Sequence, residues 1–348
     1  MSLLYRNQLR IALALLNQYG SAEEAWPHVH DARRTEAWER AQREMEWIHA
    51  HNIQVHTTLD DSYPYRLLQC PDHPIVLYSM GHMNPSDGHI VSIVGTRRPT
   101  ERGKEHTTRL VRELHERLEN LTVVSGGAYG IDITAHRAAL DCGVPTIIIP
   151  AHGLDRIYPR THRPEAVRAL ENGGLLTEYP SETEPLGANF LRRNRIIAGL
   201  ADAVVIVESQ ERGGSLVTAR MACDYNRDLF AFPGRPEDTT SNGCNELICS
   251  QRAHLIQSAD DLIRTMGWTT RAESRQPVQT QLAGMDETLS ETQQAIVSLL
   301  GEAEDGLQVN LIVMETERPY AEVSSDLLEL EVRGLVRSLP GGFYRLVR

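Results

Sequence analysis

Six short, mostly apolar runs, at residues 90–94, 122–125, 146–149, 175–178, 203–207 and 229–232, constrain this chain more than any other feature. They are too short and too β-branched for helices. Between them lie stretches with apolar residues at helical spacing, at 101–120, 131–143, 164–172, 190–200 and 215–226. Strands that alternate with helices pair in parallel through crossover connections. Because the strands do not alternate apolar with polar residues, both faces of the sheet must be covered by helices. The expected fold class is α/β, a doubly wound, Rossmann-like parallel sheet.

The flanks read differently. A helical pattern over 3–16 ends at Gly20, a helix stop, and Ser21 with Glu24 forms a capping box for a second helix. A third helix is expected over 36–51, with Trp38 and Trp47 in its core. Residues 52–88 are rich in Pro and Tyr and read as an extended connector; their scattered histidines, His56 among them, lack metal-ligand spacing and read as surface residues. Residues 269–288 have the polar composition of a linker. Helical text over 291–300, 309–314 and 320–332, then a hairpin turning at Pro340-Gly341-Gly342, predicts a winged helix. Its third helix carries Glu322, Asp326, Glu329 and Glu331, the wrong sign for a DNA groove, so this module is expected to bind protein or nothing. The expected domains are a small helical domain over 1–55, a Rossmann-like core over 56–268, a linker over 269–288 and a winged helix over 289–348.

Composition narrows the function. A formal net charge of −12 argues against wrapping duplex DNA but leaves room for a local basic groove. Five cysteines with no Cys-x-x-Cys pair argue against a disulfide framework and a zinc site. With no signal segment and no apolar run of membrane-spanning length, a cytoplasmic location without a membrane span is expected.

In an open α/β sheet, ligands sit beyond the carboxyl ends of the strands. The first such loop, Gly95-Thr96-Arg97-Arg98, offers close backbone approach, a hydroxyl and guanidinium groups. The second, Ser125-Gly126-Gly127-Ala128-Tyr129-Gly130, allows a nest of backbone N–H groups at a helix start, with Asp132 positioned to cap or orient it. Ser215, after Gly213-Gly214, opens another helix of the anion-holding type. The stretch Phe190-Leu191-Arg192-Arg193-Asn194-Arg195 places three arginines at an expected helix start beside an aromatic on which a base could stack. The plainer alternative is a solvated basic helix with Phe190, Ile196 and Ile197 in the core. Neither a Gly-x-Gly-x-x-Gly fingerprint nor a Gly-Lys-Ser/Thr loop occurs in the required places. Asp132, Asp155, Asp202 and Glu178 lack an adjacent His or Cys partner in sequence. Phosphodiester held without chemistry, metal or cofactor is the simplest ligand.

The Gly95-Thr96-Arg97 loop, the Ser125-Gly126-Gly127-Ala128-Tyr129-Gly130-Ile131-Asp132 loop, Arg193-Asn194-Arg195-Ile196-Ile197-Ala198-Gly199-Leu200, Ser215-Leu216-Val217-Thr218-Ala219 and Gly243-x-Asn245-x-Leu247-Ile248 together resemble the DNA-processing protein A family (DprA, also called Smf). The resemblance spans nearly the whole chain. It implies an extended Rossmann core that binds single-stranded DNA and forms a homodimer, protects incoming strands and loads RecA recombinase onto them in natural transformation and recombination, without catalysis. By this resemblance the strand pocket comprises Gly95, Thr96, Arg97, Ser125, Gly126, Gly127, Ala128, Gly130, Phe190, Arg193, Asn194 and Arg195. Arg98 and Ser215 complete the set from the loop readings. Leu191, where the family usually has proline, Cys244 and Gly214 depart from the pattern without removing a basic contact. The rival is a Rossmann-like enzyme that cleaves nucleoside monophosphates at the ribose. Such enzymes carry a glutamate after a Gly-rich loop, and 213–220 provides none.

Overall fold

The apolar runs pair into one nine-stranded sheet in the computed structural model, which describes residues 2–5, 9–274, 289–303, 306–316, 318–339 and 342–347. The chain divides into two units, Met1–Ser274 and Arg275–Arg348.

In the first unit, α1 (Leu9–Tyr19), α2 (Ala22–Ala25) and α3 (Arg34–His51) precede the sheet. Ser21 caps α2 by accepting the Glu24 N–H, as its sequence suggested. Buried Glu44 of α3 accepts the N–H and hydroxyl of Ser181 at 2.8 and 2.6 Å and pairs with Arg40, which ties α3 to the sheet. Trp47 packs against the sheet's apolar residues, but Trp38 is exposed and lies 5.7 Å from the Trp26 ring. Its helix turns that face outward.

The strands are β1 (Gln54–Thr57), β2 (Val76–His82), β3 (His89–Val94), β4 (Leu121–Ser125), β5 (Thr146–Ile148), β6 (Gly173–Thr177), β7 (Ala203–Ile206), β8 (Asp228–Ala231) and β9 (His254–Leu255), in the order β1-β2-β6-β5-β4-β3-β7-β8-β9. From β6 through to β9 all neighbours are parallel. The expected connector over 52–88 instead contributes β1 and β2, paired antiparallel, and β2 continues the sheet antiparallel to β6. His56 sits on β1 and is buried rather than on the surface, bonded to Ser62 and Ser79; burial lowers its proton affinity.

Alternate residues of each parallel strand point to opposite faces. Ile90, Val124, Val204 and Ile206 enter one core, and Val91, Ile93, Val123 and Val205 the other. Helices α4 (Tyr65–Leu68), α5 (Glu101–Arg117), α6 (Ile131–Asp141), α7 (Arg163–Glu171), α8 (Gly187–Leu200), α9 (Ser215–Asp224), α10 (Asn242–Cys249) and α11 (Ala259–Met266) cover these faces, and α12 (Arg271–Ser274) ends the unit. The chain winds from β3 outward to β6, then α8 carries it back to β7 on the other side of β3. The order reverses there, so the ends of β3 and β7 flank a crevice.

The second unit has helices Glu291–Glu302, Val309–Thr316 and Tyr320–Val332 packed on a three-stranded sheet, β10 (Leu307–Gln308), β11 (Val336–Leu339) and β12 (Phe343–Leu346), in the order β10-β12-β11. This is the expected winged helix. Ile296, Leu300, Ile312, Val323, Leu327 and Leu330 form its core. Asp326 and Glu329 accept from Gln293, and Glu331 from Ser338. Pro340 and Gly341 of the expected turn, and 275–288 of the expected linker, lie outside the described residues.

Candidate nucleic-acid interface

A cavity of about 230 Å³ opens at the crevice between β3 and β7. Its lining comes from the loop after β3 (Gly95, Thr96, Arg97), the loop before α6 (Ala128), the loop after β7 (Ser209, Gln210), the first three turns of α8 and the start of α9. Eight of the fourteen expected site residues line it: Gly95, Thr96, Arg97, Ala128, Phe190, Arg193, Asn194 and Ser215. Asp132, Leu191, Ser209, Gln210 and Thr218 join them. Ser209 and Gln210 lie within four residues of the end of β7, the signal by which they could have been found.

Helix α8 supplies most of the chemistry. It starts at Gly187, three residues earlier than expected, so Phe190 ends its first turn and the arginines lie in the second and third turns and not at its N-terminus. The helix dipole and unpaired N–H groups therefore act upstream of them. Arg193 is buried; its Nη1 donates to the carbonyls of Gly126, at 2.6 Å, and Ile149. Burial lowers the Arg193 pKa to about 10, opposed by the neighbouring Asp132 carboxylate, so it remains a cation at neutral pH. Exposed Arg97 lies 5.4 Å from the Phe190 ring centre, and Arg193 lies 5.9 Å from it, both within cation–π range.

The Gly-rich loop is shaped by its partners. Gly126 leaves room for the Arg193 guanidinium, which a Cβ would approach to 2.6 Å. Gly130 has φ +86°, and a Cβ there would stand 2.2 Å from the Thr96 carbonyl, so only glycine lets this loop lie against the loop after β3. The Ile131 N–H donates to that carbonyl at 3.2 Å. Buried Asp132 turns back on the loop: burial raises its pKa, while Arg193 and the N–H groups of Ala128 and Gly126 favour the carboxylate. Part of the expected anion nest is thus satisfied by the chain's own acid.

The remaining expected residues lie elsewhere. Ser125 is buried, its hydroxyl donating to the Ile93 carbonyl at 2.6 Å, and so ties β4 to β3. Gly126, Gly127 and Gly130 shape the loop without lining the cavity. Exposed Arg98 stands outside it, its N–H donating to the Thr96 hydroxyl at 3.2 Å. Arg195 requires the largest correction. It is buried, paired with Glu178 at 2.6 Å, and donates to the Asp72 carbonyl. It stands two positions from Arg193, which turns it to a different side of α8.

Glu208, which the sequence did not single out, fastens the crevice. Its carboxylate accepts the N–H of Thr100 at 2.9 Å and the Thr100 hydroxyl at the start of α5, and its carbonyl accepts the Thr96 N–H at 2.8 Å. The other candidate acids are also engaged. Asp202 pairs with Arg66 at 2.7 Å and Asp155 with Arg156 at 2.9 Å. Among the described residues, neither His nor Cys lines the cavity, and no cluster of His, Cys, Asp or Glu could hold a metal.

The profile of the DNA recombination-mediator protein A family matches residues 54–267, well over half of the chain. This chain belongs to the DNA-processing protein A family. The DprA winged helix domain matches residues 280–342. Among relatives, Protein Smf of Synechocystis sp. is 34% identical over 84% of this chain and 80% of its own length. DNA processing protein DprA of Streptococcus pneumoniae is 37% identical over 59% and 71%. The crystal structure of DprA from Streptococcus pneumoniae matches with a TM-score of 0.64 at 30% identity, covering 73% of this chain and 91% of that one. A structure of DNA processing protein A from Helicobacter pylori, which concerns its single-stranded DNA binding mode, matches with a TM-score of 0.55 at 35% identity, covering 61% and 95%. Among the described residues, no helix of this DprA-family chain is long and apolar enough to cross a membrane.

Proposed function

We propose that this chain is a recombination mediator that binds single-stranded DNA in the crevice between β3 and β7 without chemistry, and hands the strand to a RecA-type recombinase in the cytoplasm. The observation that carries the reading is Phe190 with the Arg97 and Arg193 guanidinium groups beside it at the topological switch point. A π-face with two cations suits an unstacked base and its flanking phosphates, which a duplex does not present. Binding of single strands by the Helicobacter pylori relative supports it.

In this reading the core over 56–268 binds the strand and pairs two copies, and the segments 1–55 and 289–348 are accessory. Recombinase loading and the homodimer follow the family resemblance. Asp132, among the described residues the one carboxylate lining the cavity, is engaged by its own loop and Arg193, which favours binding over catalysis.

The test is fluorescence anisotropy of labelled oligothymidylate across a salt series, with duplex of equal length as competitor. Single-strand preference with a log–log salt slope of about −0.7 per neutralised phosphate is expected. Equal competition by duplex would overturn the single-strand reading, and turnover of nucleoside monophosphates would overturn the non-catalytic one.

A further inference from the structure

The third helix of the second unit, Tyr320–Val332, carries two apolar stripes. Val323, Leu327 and Leu330 point inward and are fully buried in that unit's core. Ala321, Ser325, Leu328 and Val332 lie two positions out of phase with them, about 200° around the helix, and follow the 4-3-4 spacing of a coiled-coil seam. This second stripe faces outward. Leu328 is 63% and Val332 81% exposed, and Tyr320, at the start of the same helix, is 56% exposed. A seam of this spacing packs against another helix, and left open it displays the side chains that such a helix would bury.

The rims of the seam are acidic. Glu322 and Glu329 flank it on one side and Glu331 on the other, and each is held in place by the rest of the unit. Glu322 accepts the Thr292 hydroxyl at 3.2 Å, Glu329 the Gln293 amide at 2.9 Å, and Glu331 the N–H and hydroxyl of Ser338 at 2.9 and 2.6 Å. The helix itself has four acidic residues and no basic one. Arg318 and Arg333, at its two ends, pair with Glu322 and Glu329 and leave negative charge in excess. A winged helix presents this helix to a DNA groove, and its sign here opposes phosphate. The same sign opposes a second copy, because two such seams brought together would set glutamate against glutamate.

We infer that this face docks one helix of another protein, an amphipathic helix whose apolar seam is flanked by Lys or Arg. Leu328 and Val332 supply the contact, and the acidic rims select the partner's charge and set its register. The inference goes beyond strand binding by the first unit and does not depend on it.

The experiment is fluorescence anisotropy on the full chain with a labelled synthetic helix about three heptads long, with Leu at its seam and Lys at its flanks, beside a twin with Glu at its flanks. The Lys-flanked peptide should bind at least about tenfold more tightly than the twin, and its affinity should fall as salt is raised. Leu328→Ser/Val332→Ser should weaken it about tenfold by removing the apolar contact. The urea midpoint and the oligothymidylate affinity of that variant should stay unchanged, since both side chains are exposed. Glu322→Lys/Glu329→Lys should reverse the preference, so that the Glu-flanked twin binds better. Absence of binding by the Lys-flanked peptide, equal binding of the two peptides, or binding that the double serine variant leaves intact would each overturn the inference. Self-association of the full chain that the double serine variant abolishes, read by sedimentation velocity, would make a second copy the occupant and overturn it as well.

Discussion

Arg193 and Arg195 stand two positions apart on α8 and have different roles. Arg193 lines the cavity beside Phe190, whereas Arg195 is spent on Glu178 and the Asp72 carbonyl, with 6% and 7% of the two paired side chains exposed. Removing one partner of a buried pair leaves the other charge uncompensated, at a cost of about 3–5 kcal/mol. Arg195→Ala should therefore lower the urea midpoint markedly, while the fraction that remains folded binds strand with unchanged affinity. Arg97 is exposed, in the loop after β3, so Arg97→Ala should leave the urea midpoint in place and weaken strand binding by about 1–3 kcal/mol, the scale of a charge-assisted contact. Phe190→Ala should lose a similar amount through stacking, and Phe190→Tyr should retain most of it. Anisotropy beside urea melts separates the outcomes: an Arg195 variant that is stable but binds weakly would return that residue to the strand site.

At the scale of elements, the parallel strands were legible because burial on both faces leaves short, unbroken aliphatic runs with no competing period. Their carboxyl-end loops followed from topology, which is why eight expected residues meet in one cavity. β1 and β2 were missed because an edge pair set among prolines leaves little periodicity, and its place beside β6 depends on pairing 91 to 99 residues away, such as Met80 with Leu175. The direction of Arg195 was equally hidden, since Glu178 and Asp72 reach it only through the fold. The loop before α6 shows what the sequence did carry. Gly130 in a left-handed conformation, touching the Thr96 carbonyl, makes the loops after β3 and β4 one structure. Gly130→Ala should push them apart, costing about 1–3 kcal/mol in stability as overpacking and backbone strain. Strand affinity should fall with it, because Arg97 and Ala128 move with the displaced backbones. A variant with unaltered stability in urea would show that the contact is easily relieved.

For the whole molecule, the core beneath the site sets how the protein responds to acid. His136 on α6 is fully buried; its Nδ1–H donates to the Thr146 hydroxyl at 2.7 Å, and that hydroxyl donates to the Val123 carbonyl at 2.9 Å. Burial depresses the His136 pKa from 6.5 to about 3, with the Arg193 cation acting in the same direction. His56 and His152 are lowered too, chiefly by burial. Between pH 6.5 and about 3 the unfolded chain takes up a proton on His136 and the folded chain does not, and His56 and His152 act in the same sense. The part of the stability that rests on the neutral His136 ring is therefore full above pH 6.5 and lost as pH falls through that window, at up to about 1.4 kcal/mol per unit. Asp132, whose pKa burial raises, contributes in the opposite sense, from the ordinary carboxylate value upward. The urea midpoint should accordingly drop between pH 8 and pH 5, and His136→Gln should flatten that drop even if it lowers stability at pH 8. A midpoint that held constant from pH 8 to pH 5 would mean that the buried rings charge as readily in the folded core as in water, and the neutral imidazole bonded to Thr146 would have to be abandoned.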